Sequence, residues 1–400
     1  MKFKNTYLLS IVLFLIVFSC KSSSKERGVA SKIRKTSKIL PGAYDMNRYL
    51  VLLQNKRVAV VGNQTSEING MHLVDTLLHR GIHIVKVFAP EHGFRGQASA
   101  GEQVADAKDQ KTGLPIISLY GKHKKPTAKD LQNVDIIVFD IQDVGARFYT
   151  YLSTLHYVME AAAEQHLPVV VLDRPNPNAD YIAGPVMADE NRSFVGMHPV
   201  PIVYGMTIGE YARMINGEHW LKNGLQVDLT VIPIQHYTHQ SIYHLPVKPS
   251  PNLPNYQSVR LYPSLCLFEG TDVSVGRGTN FPFQVYGSPY LPKTGFSFVP
   301  QPNAASKWPI HKGEVCYGED LRQVQPPKDL YLGWLIKAYR TYPDSLKSKF
   351  FNKYFAKLAG VKYLKSDIQN HMPVEQIKAK WQEGIARFKA IRQKYLIYSD

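Results

Sequence analysis

From residue 57 onward, apolar runs of strand length alternate with segments of helical period. Residues 57–62 (Arg-Val-Ala-Val-Val-Gly) are a continuous apolar run, followed by a helical pattern over 71–80 that stops at Gly81. Residues 83–88, 115–119, 135–140 and 168–172 repeat the strand signal, and 151–166 predicts a helix with Leu152, Leu155, Val158, Met159 and Ala162 on one face. Strands apolar on both faces and separated by helices predict a parallel sheet covered on both sides. The fold class is therefore α/β: a Rossmann-like parallel-sheet domain over residues 41–215, then a smaller α/β (α+β) domain over 216–400 that completes a cleft. In that second half, 225–234 alternates like a strand, proline-rich loops fill 245–310, and helical patterns cover 329–356 and 374–398. The last sets Val374, Ile377, Trp381, Ile385, Phe388, Ile391 and Tyr395 on one face and basic residues on the other, which predicts a helix docked on the core.

The beginning of the chain follows a different pattern. Lys2 and Lys4 precede an apolar run over residues 7–18, interrupted only by Ser10. Twelve residues fall short of the roughly 20 that span a bilayer, and a short basic segment before an apolar core predicts a secretory signal peptide over 1–19. Val17-Phe18-Ser19-Cys20 resembles a lipoprotein signal, cut before a Cys20 that is then lipidated. Residues 20–40, rich in Ser and Lys, read as a flexible tether. The expected location is an exported, membrane-anchored lipoprotein facing the periplasm.

Charge changes the picture only through its distribution. The chain of 400 residues carries 48 Lys+Arg against 32 Asp+Glu, a formal +16. Residues 1–40 hold nine basic and one acidic side chain, residues 341–400 twelve and five, so 41–340 keeps only +1. A nucleic-acid enzyme would concentrate its basic stripe near the chemistry, so a nucleic-acid partner is not expected. Cys266 lies in an apolar run and reads as a buried thiol; with Cys316 it has no metal or redox spacing.

Open α/β sheets bind ligands beyond the carboxyl ends of their strands. The residues there are Asn63-Gln64-Thr65, Glu91-His92-Gly93-Phe94-Arg95, Tyr120-Gly121, Asp140 through Gln142, Asp143, Arg147 and Tyr149, and Asp173-Arg174-Pro175-Asn176. Gly-x-Gly-x-x-Gly, Walker A, Gly-x-Ser-x-Gly and HExxH patterns are absent, which disfavours nucleotide, serine-hydrolase and zinc-protease readings. No cofactor and no metal is expected, although Glu91-His92 and Asp140/Asp143 are ligand types. His236, His239 and His244 sit in a polar, loop-like stretch and read as solvated.

Carboxylates without metal or nucleotide suit glycoside hydrolysis, in which one carboxylic acid protonates the leaving oxygen and a second carboxylate stabilises, attacks or activates water. Glu91 is the candidate acid, with His92 beside it and Pro90 and Phe94 as apolar surroundings. Asp143 or Asp140 is the candidate second carboxylate, with Arg147 or a similar cation needed if both are ionised; Glu269 is the rival. Asn63, Arg95, Gln142, Arg147, Tyr149, Arg174, Asn176 and Arg277 are candidate substrate-binding residues, Arg277 lying between glycines in 276–279.

Several stretches carry a resemblance: Asn63-Gln-Thr65, Phe88-Ala-Pro-Glu-His-Gly-Phe-Arg-Gly96, Asp140-Ile-Gln-Asp-Val-Gly-Ala-Arg-Phe-Tyr149, Asp173-Arg-Pro-Asn-Pro177, Gly205-Met-Thr-Ile-Gly-Glu210, Phe268-Glu-Gly-Thr271 and Gly276-Arg-Gly-Thr279. From about residue 41 to the end, the chain resembles the NamZ-type exo-β-N-acetylmuramidases. The resemblance implies release of N-acetylmuramic acid from non-reducing ends of peptidoglycan fragments, with a cleft between two domains. It also implies that Glu91 lies in the catalytic segment. Tyr204 departs from the family's usual His, and Asp272 from its usual Asn. The sugar's lactyl carboxylate would find a partner in Arg95, Arg147, Arg174 or Arg277. A non-catalytic peptidoglycan-binding lipoprotein and a glycan esterase or deacetylase are the competing expectations.

Overall fold

Alternation at period two decides which face of the sheet each strand residue covers. A computed structural model describes residues 38–95, 107–293 and 295–400; the signal peptide, Cys20 and residues 20–37 of the tether lie outside the described residues. The chain runs through α1 (Met46–Leu53), β1 (Val58–Gly62), the hairpin β2 (Glu67–Ile68) and β3 (Met71–His72), α2 (Leu73–His79), β4 (Ile84–Ala89), β5 (Ala107–Lys108), β6 (Pro115–Ser118), β7 (Ile136–Asp140), α3 (Tyr151–Glu164), β8 (Val169–Leu172), α4 (Ile208–Gly217) and β9 (Leu229–Ile232). Seven of these strands form one sheet in the order β5-β6-β4-β1-β7-β8-β9. Its pairs are parallel except β5 with β6, as expected of strands joined by helical crossovers. Ala59, Val61, Ile137, Phe139, Val169 and Val171 pack on one side with α3 and α4. Val58, Val60, Ile136, Val138, Val170 and Leu172 pack on the other with α1 and α2. Both sides being apolar is what places this sheet between two helical layers.

The Rossmann-like reading holds, but the sheet extends further than residue 215: β9 is its edge strand. The helix read as starting at 71 begins at Leu73, because Met71–His72 first pair with Glu67–Ile68.

The second half adds α5 (Tyr256–Leu265), a three-stranded sheet of β10 (Val285–Ser288), β11 (Ser297–Phe298) and β12 (Cys316–Asp320), and six short helices: α6 (Gly333–Thr341), α7 (Lys347–Phe350), α8 (Phe355–Ala359), α9 (Tyr363–Gln369), α10 (Val374–Ala379) and α11 (Gln382–Gln393). The pattern over 329–356 is thus broken after Thr341, where Tyr342 turns extended before Pro343. That over 374–398 breaks around Trp381 and ends at Gln393. Ile377, Trp381, Ile385 and Phe388 nevertheless bury into the cluster that contains α3, so this segment docks on the core. The tail beyond it is anchored by Tyr398, whose hydroxyl donates to Asp173 at 2.7 Å. Cys266 and Cys316 are buried free thiols. No helix among the described residues is long and apolar enough to cross a membrane.

Candidate active site

At the carboxyl end of β4 the chain turns sharply. Gly93 N donates to Pro90 O at 3.0 Å, and His92 and Gly93 both adopt left-handed backbone, with φ of 73° and 76°. A left-handed conformation is unusual for a residue with a side chain and marks a specified turn. At the end of β7 the loop into α3 delivers Tyr149, Thr150 and Tyr151. Tyr149 is held by its hydroxyl on Pro249 O at 2.7 Å, and Tyr151 accepts from Asn63 Nδ2 at 2.9 Å. From the second half, the 3-10 turn Cys266–Gly270 after α5 supplies Glu269. Gly276 and Gly278, both at positive φ, flank Arg277, and a side chain at Gly278 would strike Gln301 O and Pro309.

These segments surround one open cavity of about 520 Å³. Glu91, His92, Tyr120, Lys124, Thr150 and Phe194 line it from the parallel-sheet half, and Tyr262, Glu269, Arg277, Phe283, Tyr354 and Lys357 from the other. Its size suits a small ligand. Glu91 Oε2 accepts from Thr150 Oγ1 at 3.0 Å. The Tyr120 hydroxyl also bonds Glu91, and burial together with that carboxylate pushes this phenol well above its usual range. Glu269 is held differently: Arg277 Nε donates to Oε1 at 2.5 Å, and the Cys266 thiol, pushed up by burial and then by Glu269, lies 3.6 Å from Oε2. Arg277 lies over the Phe283 ring at 5.0 Å. One carboxyl group among neutral hydroxyls and one fixed by a guanidinium give the cavity the two chemically distinct acids that proton transfer and cation stabilisation require.

Of the residues expected from sequence, Glu91, His92, Tyr149, Glu269 and Arg277 line this cavity; the others are placed elsewhere. Asp140 forms a buried two-pronged ion pair with Arg174, at 2.6 and 2.9 Å, so the cation that compensates it is Arg174 and not Arg147. Arg147 is buried with no carboxylate partner and donates to four backbone carbonyls, those of Pro185, Val200, Leu358 and Ala359. It ties the two halves together. Arg95 pairs with Asp109 at 2.8 Å and Asp75 at 3.4 Å, on a separate surface groove.

Asp143 is buried without lining the cavity. Its Oδ2 accepts from Gly145 N at 2.7 Å and from the Tyr204 hydroxyl, while Oδ1 has no partner. Burial pushes this carboxyl up to about 6, against those hydrogen bonds. Asn63, Gln142 and Asn176 fix loops: Asn63 Oδ1 accepts from Thr65 N and Oγ1, Gln142 Nε2 donates to Asp143 O and Pro175 O, and Asn176 Nδ2 donates to Met206 O. Phe94 packs on the His72 ring, 4.6 Å between centroids. Tyr204 and Asp272, the departures from the family pattern, do not line the cavity; Asp272 accepts from the Tyr342 hydroxyl at 2.5 Å. His239, read as solvated, is buried on Glu210 at 2.8 Å, whereas His236 and His244 are exposed.

Sequence reading nominated neither Thr150 nor Tyr151, although both directly follow the Asp140–Tyr149 stretch. It also passed over Lys124, Phe194, Tyr262, Phe283, Tyr354 and Lys357, and placed Tyr120 at the sheet edge without giving it a role. The position of Tyr120 just past a strand was a usable signal. Nothing local marks Lys357, which arrives from a helix more than two hundred residues away from Glu91. No group of three His, Cys, Asp or Glu side chains able to hold a metal occurs among the described residues.

The N-terminal family model of the exo-β-N-acetylmuramidase NamZ matches residues 58–257, and its C-terminal model matches residues 260–398. The chain is 39% identical over 375 residues to the peptidoglycan β-N-acetylmuramidase NamZ of Bacillus subtilis (strain 168), covering 88% of this chain and 89% of that protein. Two crystal structures of DUF1343 family proteins from Bacteroides fragilis share the fold. One is 42% identical with a TM-score of 0.85, covering 91% of this chain and all of that one. The other is 28% identical with a TM-score of 0.79, covering 90% of this chain and 99% of that one.

Proposed function

The chain belongs to the exo-β-N-acetylmuramidase NamZ family, and on that basis we propose that its cavity hydrolyses the β-glycosidic bond of a terminal N-acetylmuramic acid in peptidoglycan fragments. The observation that carries this reading is the convergence of Glu91 and Glu269, from opposite halves of the chain, on one cavity. Glu91, bonded by hydroxyls of Thr150 and Tyr120, is the general acid that protonates the leaving oxygen. Glu269, ion-paired with Arg277, faces the developing positive charge at the sugar or activates the water. The aromatic rings of Tyr149, Tyr262 and Tyr354 offer surfaces for a sugar ring. His92 shares the turn that presents Glu91.

Export and lipid anchoring at Cys20 complete the proposal, supported by the leader and the basic tether. They would hold the enzyme beside the wall it trims. The decisive measurement is hydrolysis of the disaccharide N-acetylmuramyl-N-acetylglucosamine and of 4-nitrophenyl N-acetyl-β-muraminide. Release of free N-acetylmuramic acid from both is expected. Binding without turnover over a broad pH range would establish the non-catalytic alternative instead.

A further inference from the structure

If the cavity accepts muramic acid, as proposed above, it must tell that sugar from N-acetylglucosamine, and the only charged difference is the lactyl carboxylate. A buried or half-buried carboxylate needs a cation or several donors. The four arginines expected for this role are already engaged: Arg95 with Asp109, Arg147 with four carbonyls, Arg174 with Asp140, and Arg277 with Glu269. The cavity wall also carries two lysines, Lys124 and Lys357, neither ion-paired with a carboxylate of the described residues.

Lys124 is the better built of the two. Its ammonium lies 4.5 Å from the centroid of the Phe194 ring, and cation–π contact of this kind holds a flexible side chain in place. Phe194 is itself fixed. Ser153 Oγ donates to Phe194 O at 2.6 Å, Tyr157 stacks on its ring at 6.2 Å, and Ser193 and Gly196 close a tight backbone turn around it. The residues on either side of Lys124 are pinned away: His123 sits 3.0 Å from Asp130, and Lys125 reaches Glu160 and Glu164 at 2.6 and 2.8 Å. On the same wall Ser193 Oγ is buried and has no hydrogen-bond partner. A hydroxyl without a partner and a positioned ammonium lining one cavity are two donors that an anion would satisfy. Lys357, by contrast, is exposed on α8.

We propose that Lys124, seated on Phe194 and assisted by Ser193 Oγ, binds the lactyl carboxylate and gives the cavity its selectivity for muramic acid. The test compares kcat/KM for 4-nitrophenyl N-acetyl-β-muraminide and for its lactyl methyl ester, in the wild-type protein and in Lys124→Met, Lys124→Arg and Lys357→Met. A charge-assisted contact predicts that wild type prefers the acid over the ester by about 10–100-fold. Lys124→Met should bring this ratio close to one, and Lys124→Arg should restore part of it. A loss of packing alone would slow both substrates together and leave the ratio intact. An unchanged ratio in Lys124→Met, or its collapse in Lys357→Met instead, overturns the assignment while leaving the muramidase reading standing. Hydrolysis of neither substrate by wild type removes both.

Discussion

Replacing Asp143 by Asn probes the clearest disagreement between position in sequence and position in space. Asp143 is one of the carboxylates expected to do chemistry, yet it is buried off the cavity wall with one oxygen unpartnered. Burial raises its pKa from the ordinary 3.8 to about 6. A raised carboxyl pKa means the folded state holds a proton that the unfolded state has released, so stability is lost as pH rises through this interval. At 1.36 kcal/mol per pH unit the full cost is about 3 kcal/mol, all present above pH 7. Asn resembles the protonated acid and does not titrate. Relative to wild type, Asp143→Asn should therefore gain about 2.5 kcal/mol of stability between pH 4 and pH 7.5. Urea unfolding of both proteins at the two pH values measures this double difference, in which the other titrating groups, Asp173 included, cancel. Activity at neutral pH should stay within about tenfold of wild type, since general catalysis is worth 10²–10⁴ and this group does not reach the cavity. A pH-independent stability difference would refute the electrostatic account. Retained fold with a thousandfold loss of kcat would refute the placement of Asp143 outside the chemistry.

Glu91→Gln should lower kcat by about 10²–10⁴ while leaving sugar binding by calorimetry intact, and the loss should be greater for the disaccharide than for the nitrophenyl glycoside, whose leaving group hardly needs a proton. An equal, small loss on both substrates would move the acid role away from Glu91. Arg147→Ala removes the side-chain donor to four backbone carbonyls, of which Val200 O keeps Met187 N, and should cost at least about 3 kcal/mol in urea unfolding, with Arg147→Lys recovering part of it; equal stability of Arg147→Ala and wild type would show those contacts to be dispensable. Cys20→Ala should shift the protein from membrane pellets to the soluble fraction of fractionated cells, and continued sedimentation with membranes would count against the anchor.

The parallel sheet was legible along the chain, because Val58–Val61, Ile136–Phe139 and Val169–Leu172 are apolar at every position and only a doubly covered strand buries both faces. So were the Glu91 turn and the Glu269 and Arg277 loop, since an acid just past a strand and an arginine between glycines are local signals. What the sequence could not separate was reacting from structural polarity. Asp140, Arg174, Arg147, Gln142 and Asn176 look as functional as Glu91 along the chain, and a buried polar group must find a partner whether or not it does chemistry. Only the tertiary structure showed that Arg174 is consumed by Asp140 and Arg147 by carbonyls from both halves of the chain. It also brought Lys124, Phe194, Tyr262 and Glu269 to one wall system around Glu91. Partners far apart in sequence are chosen by packing, which no periodicity records.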